Sequence, residues 1–214
     1  NVHMVEADEV GPTFRALKAE LAAGNREVYV VPTGGSNGTG ALGYAACALE
    51  IIDQCKATGI PLTDIVHATS SAGTQSGLLA GLAMADKLNE VRVHGINVSE
   101  PAAEESNLIE AIGAHADAAL ELAGIRQSLP RDSISIDSEY LGEGYGMPTP
   151  ETFDALKQTA SSEGILLDPV YSGKAMSGLV GKIRSGEFSD RSDLVFLHTG
   201  GAASLPVYGN AILS

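Results

Sequence analysis

Asp64-Ile65-Val66-His67-Ala68-Thr69 is an apolar run of strand length, and the chain changes character immediately after it. Ser70-Ser71-Ala72-Gly73-Thr74-Gln75-Ser76-Gly77 is small, hydroxylated and glycine-punctuated. Leu78–Leu88 is apolar again and reads as a helix. A buried strand, a tight loop and a buried helix commit the chain to a layered α/β arrangement. The same order is how proteins hold a phosphate. The first N–H groups of a helix lack intrahelical partners, and the helix dipole favours an anion there. Ser and Thr hydroxyls add donors, and glycine lets the backbone come close. An ordinary strand-to-helix turn rich in caps is the plainer reading of the loop alone.

The remaining chain repeats the alternation. Val2–Val5 and Glu27–Val31 read as strands around a helix Pro12–Ala23, which Gly24-Asn25 closes. A loop Pro32–Gly40 leads to a helix from Ala41 to about Lys56. After the Ser70–Gly77 unit come strand Val91–Val98, helix Glu104–Ala123 and strand Ser133–Ile136. The Gly-rich loop Tyr140–Pro150 precedes a helix that Thr149 caps and Pro150 opens, running to Ser162. Helix Ser172–Ser185 and strand Leu194–His198 complete the order. Such alternation predicts a doubly wound, mostly parallel sheet, with ligands beyond the carboxyl ends of the strands. Four loops are then candidates for one crevice: Thr33–Gly40, Ser70–Gly77, Tyr140–Pro148 and Thr199–Gly201. Val2–Val5 has no earlier strand to pair with, so Asn1 is not expected to be a natural start.

Composition removes some partners. The net charge of −14 argues against nucleic acid and anionic membranes, though a local nest of N–H groups can still hold one phosphate. No signal peptide is visible, and no run nears the roughly 20 apolar residues that span a bilayer. Cys47 and Cys55 lie on one predicted helix, about 12 Å apart along its axis, too far to bridge. Two reduced thiols fit a cytoplasmic protein. With those and five scattered His, no metal cluster is expected.

Several short motifs carry chemistry, each beside a plainer alternative. Gly38-Thr39-Gly40-Ala41-Leu42-Gly43 fits G-x-G-x-x-G, yet the next strand ends in Ala68-Thr69-Ser70, without the carboxylate that a dinucleotide ribose needs. Close helix packing is the alternative. Ser36-Asn37 is either a turn or a polar clamp for a small carboxylate or ring hydroxyl. Tyr145, framed by Gly142, Gly144 and Gly146, is hard to bury among glycines. Asp168-Pro169-Val170-Tyr171-Ser172-Gly173-Lys174 runs into a helix with Ser172 as a plausible N-cap. Lys174 in that first turn opposes the helix dipole, so something local compensates or it contacts an anion or carbonyl. His198-Thr199-Gly200-Gly201 is a turn or a wall of the site.

Read together, Pro32–Asn37, Ser71–Gln75, Gly144–Pro148, Leu167–Met176 and His198–Gly201 resemble, in order and over essentially the whole chain, the D-cysteine desulfhydrase and 1-aminocyclopropane-1-carboxylate deaminase family. That resemblance implies the tryptophan synthase β-like fold and pyridoxal 5'-phosphate as cofactor. It assigns Ser71, Ala72, Gly73 and Thr74 to the cofactor phosphate, Thr199 and Gly200 to further cofactor contacts, and Ser36 and Asn37 to the substrate. Tyr145 and Tyr171 become catalytic tyrosines, and Ser172 takes the position facing the pyridine nitrogen. The deaminase branch carries Glu there, whereas desulfhydrase-like members carry Ser or Thr. A neutral hydroxyl makes a weaker electron sink than a carboxylate-paired nitrogen, which favours β-elimination over ring opening.

The resemblance therefore implies a lyase acting on a small amino acid, with D-cysteine to pyruvate, sulfide and ammonia leading. 1-Aminocyclopropane-1-carboxylate deaminase and L-cysteate sulfo-lyase are alternatives within the class. Outside it stand a non-catalytic phosphate-ligand-binding module and a sugar-phosphate-binding domain. The family's Schiff-base lysine lies in a Gly-Gly-Asn-Lys-type segment near its N-terminus, and none of Lys18, Lys56, Lys87, Lys157, Lys174 or Lys182 has that context. The family's Ser-Asn-His stretch is also missing. The sequence is thus expected to be the C-terminal portion of such an enzyme, inactive alone, with residues 1–31 the tail of the smaller domain and 32–214 the large cofactor-binding domain. A homodimer is implied by the same resemblance.

Overall fold

The computed structural model describes residues 1–99, 101–188 and 193–213. It separates into two compact units, Asn1–Pro32 and Thr33–Ser214. In the first, Glu6 N–H donates to Glu9 Oε2 at 3.3 Å and starts a 3-10 turn, Ala7–Glu9, that continues into α1, Val10–Ala23. The expected strands Val2–Val5 and Glu27–Val31 do not form. A strand is defined by its ladder, and neither stretch finds a partner strand among the described residues.

In the second unit, α2, Gly38–Thr58, begins three residues before the expected Ala41. Asn37 is its N-cap, with Oδ1 accepting from Gly40 N–H at 2.8 Å. The glycines there serve close packing: a Cβ on Gly38 would lie 2.6 Å from Ala118 Cβ. No strand precedes α2 among the described residues, so the dinucleotide arrangement is not built. Then follow β1, Asp64–Thr69; α3, Gly73–Met84; β2, Arg92–Asn97; α4, Glu105–Leu122; and β3, Ser135–Asp137. Next come α5, Pro150–Glu163; α6, Ser172–Arg184; β4, Leu194–Phe196; and α7, Gly209–Leu213. The helix α3 starts five residues ahead of expectation. Ser76 Oγ donates back to Ala72 O at 2.8 Å, so the hydroxyl-rich residues fit inside a helical turn.

All strand pairs described are parallel, in the order β3-β2-β1-β4. Alternate residues of β1 face opposite layers. Ile65 packs with Ala41, Ala45, Leu78, Leu82 and Ile112 from α2, α3 and α4. Val66 and Ala68 pack with Ala175 and Leu179 of α6 and with Phe188. Helices therefore cover both faces, and the doubly wound, parallel α/β expectation holds. From β1 the chain steps through α3 to β2 and β3, then returns through α5 and α6 to set β4 on the other side of β1. The strand order reverses between β1 and β4, which makes their carboxyl ends the place for a ligand. Among the described residues, no helix is long and apolar enough to cross a membrane.

Candidate active site

Thr69 ends β1, and Ser70-Ser71-Ala72 turn the chain into α3. Ala72 makes the turn at φ 72°, a conformation costing a non-glycine residue about 1–3 kcal/mol. The first helical bond of α3 is Ser76 N–H to Ala72 O at 3.0 Å. The N–H groups of Gly73, Thr74 and Gln75 lie ahead of it and have no intrahelical acceptor. A cavity of about 300 Å³ opens there, at the β1/β4 reversal. Gly34, Tyr44, Ala68–Thr74, Tyr171 and Thr199–Gly201 line it.

Ser71, Ala72, Gly73, Thr74, Tyr171, Thr199 and Gly200 thus converge on one space. Ser36 joins from the side, its Oγ donating to Ser71 Oγ at 2.8 Å. A Cβ on Gly73 would fall 2.8 Å from Ser36 Oγ, so a larger residue there would displace the Ser36 hydroxyl from its place beside the cup. Asn37 spends its Oδ1 on the α2 cap. Tyr145 stands outside the cavity lining and reaches Tyr171, with Oη to Oη 2.5 Å and the rings edge to face. Burial first, then the bond to Tyr145, pushes the Tyr171 phenol up to about 12.

Ser172 is not the cap of α6. Asp168, fully buried, takes that role from four residues away: Oδ2 accepts from Val170 N–H (2.9 Å) and Tyr171 N–H (2.8 Å), and Oδ1 from Ser172 N–H (2.8 Å). Ser172 Oγ donates to Asp168 Oδ1 at 2.6 Å and accepts from Asp168 N–H at 2.9 Å. Its hydroxyl proton is therefore committed inward. His198 shapes the opposite wall, with Nδ1 accepting from Gly200 N–H (3.2 Å), which leaves Nε2–H to donate to Leu166 O (3.1 Å). Sequence reasoning misses Tyr44 and Thr69 as lining residues and Asp168 as the clasp. Tyr44 carries no local signal, whereas an Asp shortly before a helix start is a capping signal in itself.

The family described as Pyridoxal-phosphate dependent enzyme matches residues 1–200 of this chain. The chain belongs to that family. D-cysteine desulfhydrase of Serratia proteamaculans is 40% identical over 192 residues, and that of Klebsiella pneumoniae is 38% identical over the same length. In each case 90% of this chain and 56% of the relative are covered. The chain therefore spans about half the length of the curated relatives it matches. A solved structure titled an ACC deaminase homologue covers 99% of this chain and 61% of its own, at 31% identity and a TM-score of 0.80. A structure of O-ureido-L-serine synthase covers 95% of this chain and 59% of its own, sharing the fold at 17% identity and a TM-score of 0.54.

A pyridoxal-phosphate enzyme must hold a phosphate dianion, and the cup fits one. Its lining includes no Asp or Glu, so the −14 net charge does not act at contact range. The helix N-terminus and the Ser71 and Thr74 hydroxyls supply donors. Thr69 Oγ1 is buried with no partner among the described residues, a polar atom with bonding capacity left. No Lys or Arg is among the lining residues, so neutralising a phosphate there would fall to the field of α3.

Proposed function

We propose that this chain forms the phosphate cup and tyrosine pair of a pyridoxal-phosphate-dependent lyase that eliminates the β-substituent of a small amino acid. D-Cysteine, giving pyruvate, sulfide and ammonia, is the leading substrate. The observation that carries the proposal is Tyr171 at the cavity wall, clasped Oη to Oη by Tyr145. The likeness to D-cysteine desulfhydrases supports the substrate. When bound, pyridoxal 5'-phosphate supplies an electron sink conjugated to the substrate's amino group.

The residues of this chain do the rest. Ser71, Ala72, Gly73 and Thr74 take the phosphate on N–H groups and hydroxyls at the start of α3. Thr199 and Gly200, which follow β4 and line the same cavity, would hold the cofactor from that side. Tyr171 is protonated at neutral pH, as an ordinary phenol is and more firmly so with its pKa pushed up to about 12, and from the cavity wall it acts as a hydrogen-bond donor to a departing sulfur or to the substrate carboxylate. Tyr145 Oη fixes which way that donor points. Ser36, bonded to Ser71, is the substrate-side contact of its loop, while Asn37 supports it by capping α2. Ser172 offers no carboxylate to the ring nitrogen, and its hydroxyl proton is committed to Asp168, which fits elimination better than ring opening. On this reading residues 1–31 are the tail of a smaller domain and 32–214 the large domain. The unpaired Cys47 and Cys55 support a cytoplasmic setting, and the family resemblance supports a homodimer.

1-Aminocyclopropane-1-carboxylate deamination is the second reading, favoured by the likeness to the solved ACC deaminase homologue. Full-length protein carrying this chain, given D-cysteine, L-cysteate and 1-aminocyclopropane-1-carboxylate in parallel, separates the possibilities. Sulfide and pyruvate from D-cysteine are expected. Sulfite or 2-oxobutanoate as the dominant product would replace the substrate assignment. Tyr171→Phe is expected to lower turnover by about 10²-fold or more, the scale of a positioned proton donor.

A further inference from the structure

Lys174 is fully buried in the first turn of α6. Burial lowers its pKa, and the positive end of the helix dipole also disfavours a cation there. Among the described residues it forms no ion pair. A methionine would fill the same volume without these penalties. What the ammonium does instead is specific: Nζ donates to Leu141 O at 2.6 Å and to Gly144 O at 2.7 Å. Both carbonyls belong to the glycine-rich loop that carries Tyr145.

That loop has little stiffness of its own. Gly142, Gly144 and Gly146 all adopt positive φ, at 70°, 150° and 72°, and glycine backbones have many alternatives to leave. Tyr145 is bracketed by two tethers. The carbonyl before it, Gly144 O, is held by Lys174, and the carbonyl after it, Gly146 O, accepts from Tyr208 Oη at 2.9 Å. Lys174 also sits three residues after Tyr171, at the start of the same helix. One side chain therefore ties the turn that presents Tyr171 to the loop that presents Tyr145. We infer that Lys174 is a positioning residue: by holding the Leu141 and Gly144 carbonyls it sets Tyr145 Oη against Tyr171 Oη.

The inference rests on the proposed role of the tyrosine pair, and its test separates the two. Lys174→Met and Lys174→Gln are made in the full-length protein, each alone and with Tyr145→Phe, and hydrogen exchange of residues 141–147 is followed by mass spectrometry without added cofactor. Exchange of that segment is expected to quicken by about tenfold or more in both variants while β1 and α3 keep their protection, as a local opening does. Turnover with D-cysteine is expected to fall by about 10²-fold, the scale of a misplaced catalytic group. Little further loss is expected when Lys174→Met is combined with Tyr145→Phe, because the two act as one unit. Unchanged exchange at 141–147, loss of protection throughout the sheet in both variants, or additive losses in the double variant each overturn the inference. Full turnover by Tyr145→Phe alone would instead sink the tyrosine proposal and leave Lys174 to be judged by the exchange data.

Discussion

His67 lies in the middle of β1 with no exposed surface, its Nδ1 within 2.8 Å of Ala68 O and its Nε2 without a partner among the described residues. Desolvation lowers its pKa to about 4. In the unfolded chain the ring takes up a proton below about 6.5. Between those values the unfolded state binds more protons, so stability is full above pH 6.5 and is lost as pH falls towards 4. The slope from this one ring approaches about 1.4 kcal/mol per pH unit. Urea unfolding of wild type and His67→Gln at pH 7, 6, 5 and 4 should show a difference that changes steadily across this window, and a constant difference would refute the assignment. Asp168 makes a second prediction. Its carboxylate accepts three N–H groups and one hydroxyl at the buried start of α6. Asp168→Ala orphans them, and a loss of about 2–3 kcal/mol in urea unfolding is expected. Such positions show the limits of sequence reading. The misfit of Lys174 with its helix dipole is visible in the primary structure, and so is the need for a compensating contact. Which carbonyls answer it depends on a loop some thirty residues away. Ser172 resembles a cap because it stands at the start of the helix, but the Asp four residues earlier reaches forward over the proline and supplies two oxygens.

The pairing of α2 with α3 shows why those two helices contain so much Ala and Gly. A Cβ on Gly77 would lie 2.3 Å from Ala41 O and 2.4 Å from Tyr44 Cβ, and one on Gly81 would lie 2.5 Å from Ala45 O. The helices approach backbone to side chain along that line, which brings Tyr44 to the cavity at the start of α3. Replacing helical Gly by Ala improves propensity by about 1 kcal/mol, whereas forcing atoms into a packed contact costs about 1–3 kcal/mol or more. Backbone oxygen cannot rotate away, so overpacking wins for Gly77→Ala: a net loss of about 1–2 kcal/mol is expected. Gly43, exposed on α2 with open space where a Cβ would stand, is the matched control. Gly43→Ala should stabilise by about 0.5–1 kcal/mol. Thermal melts of the two variants must shift in opposite directions if the contact line is right. The order of helices and strands in the second unit is legible from apolar periodicity, because each element buries a face there. Boundaries are not, since the hydroxyls that mimic a loop in Thr74–Ser76 are absorbed by a helical turn. The two strands expected in residues 2–31 fail for another reason: β-propensity describes a surface waiting for a neighbour, and none is supplied within that unit among the described residues.

Alternation of elements makes the doubly wound class readable, but not the reversal point, because strand order is a matter of long-range pairing. Only with β4 set against β1 do Ser71–Thr74, Tyr171 and Thr199–Gly200, separated by up to 129 positions, face one cavity. That geometry decides what this chain can do with the cofactor by itself. The cup offers a helix N-terminus and hydroxyls to the phosphate, yet no lysine is among its lining residues. Lys174, the lysine nearest in sequence to Tyr171, is fully buried and committed to two carbonyls. Held by its phosphate alone, pyridoxal phosphate should bind this chain reversibly, and inorganic phosphate should compete because both anions use the same N–H groups. Pyridoxal without its phosphate should bind far more weakly. Borohydride treatment followed by peptide mass mapping should find no phosphate-competable pyridoxyl adduct on any of the six lysines, and D-cysteine should yield no sulfide. A phosphate-competable adduct on Lys174 would mean that its carbonyl tethers release in the bound state, which would overturn both the cup as a purely non-covalent site and the fixed setting of Tyr145. Binding indifferent to inorganic phosphate would move the cofactor away from α3 altogether.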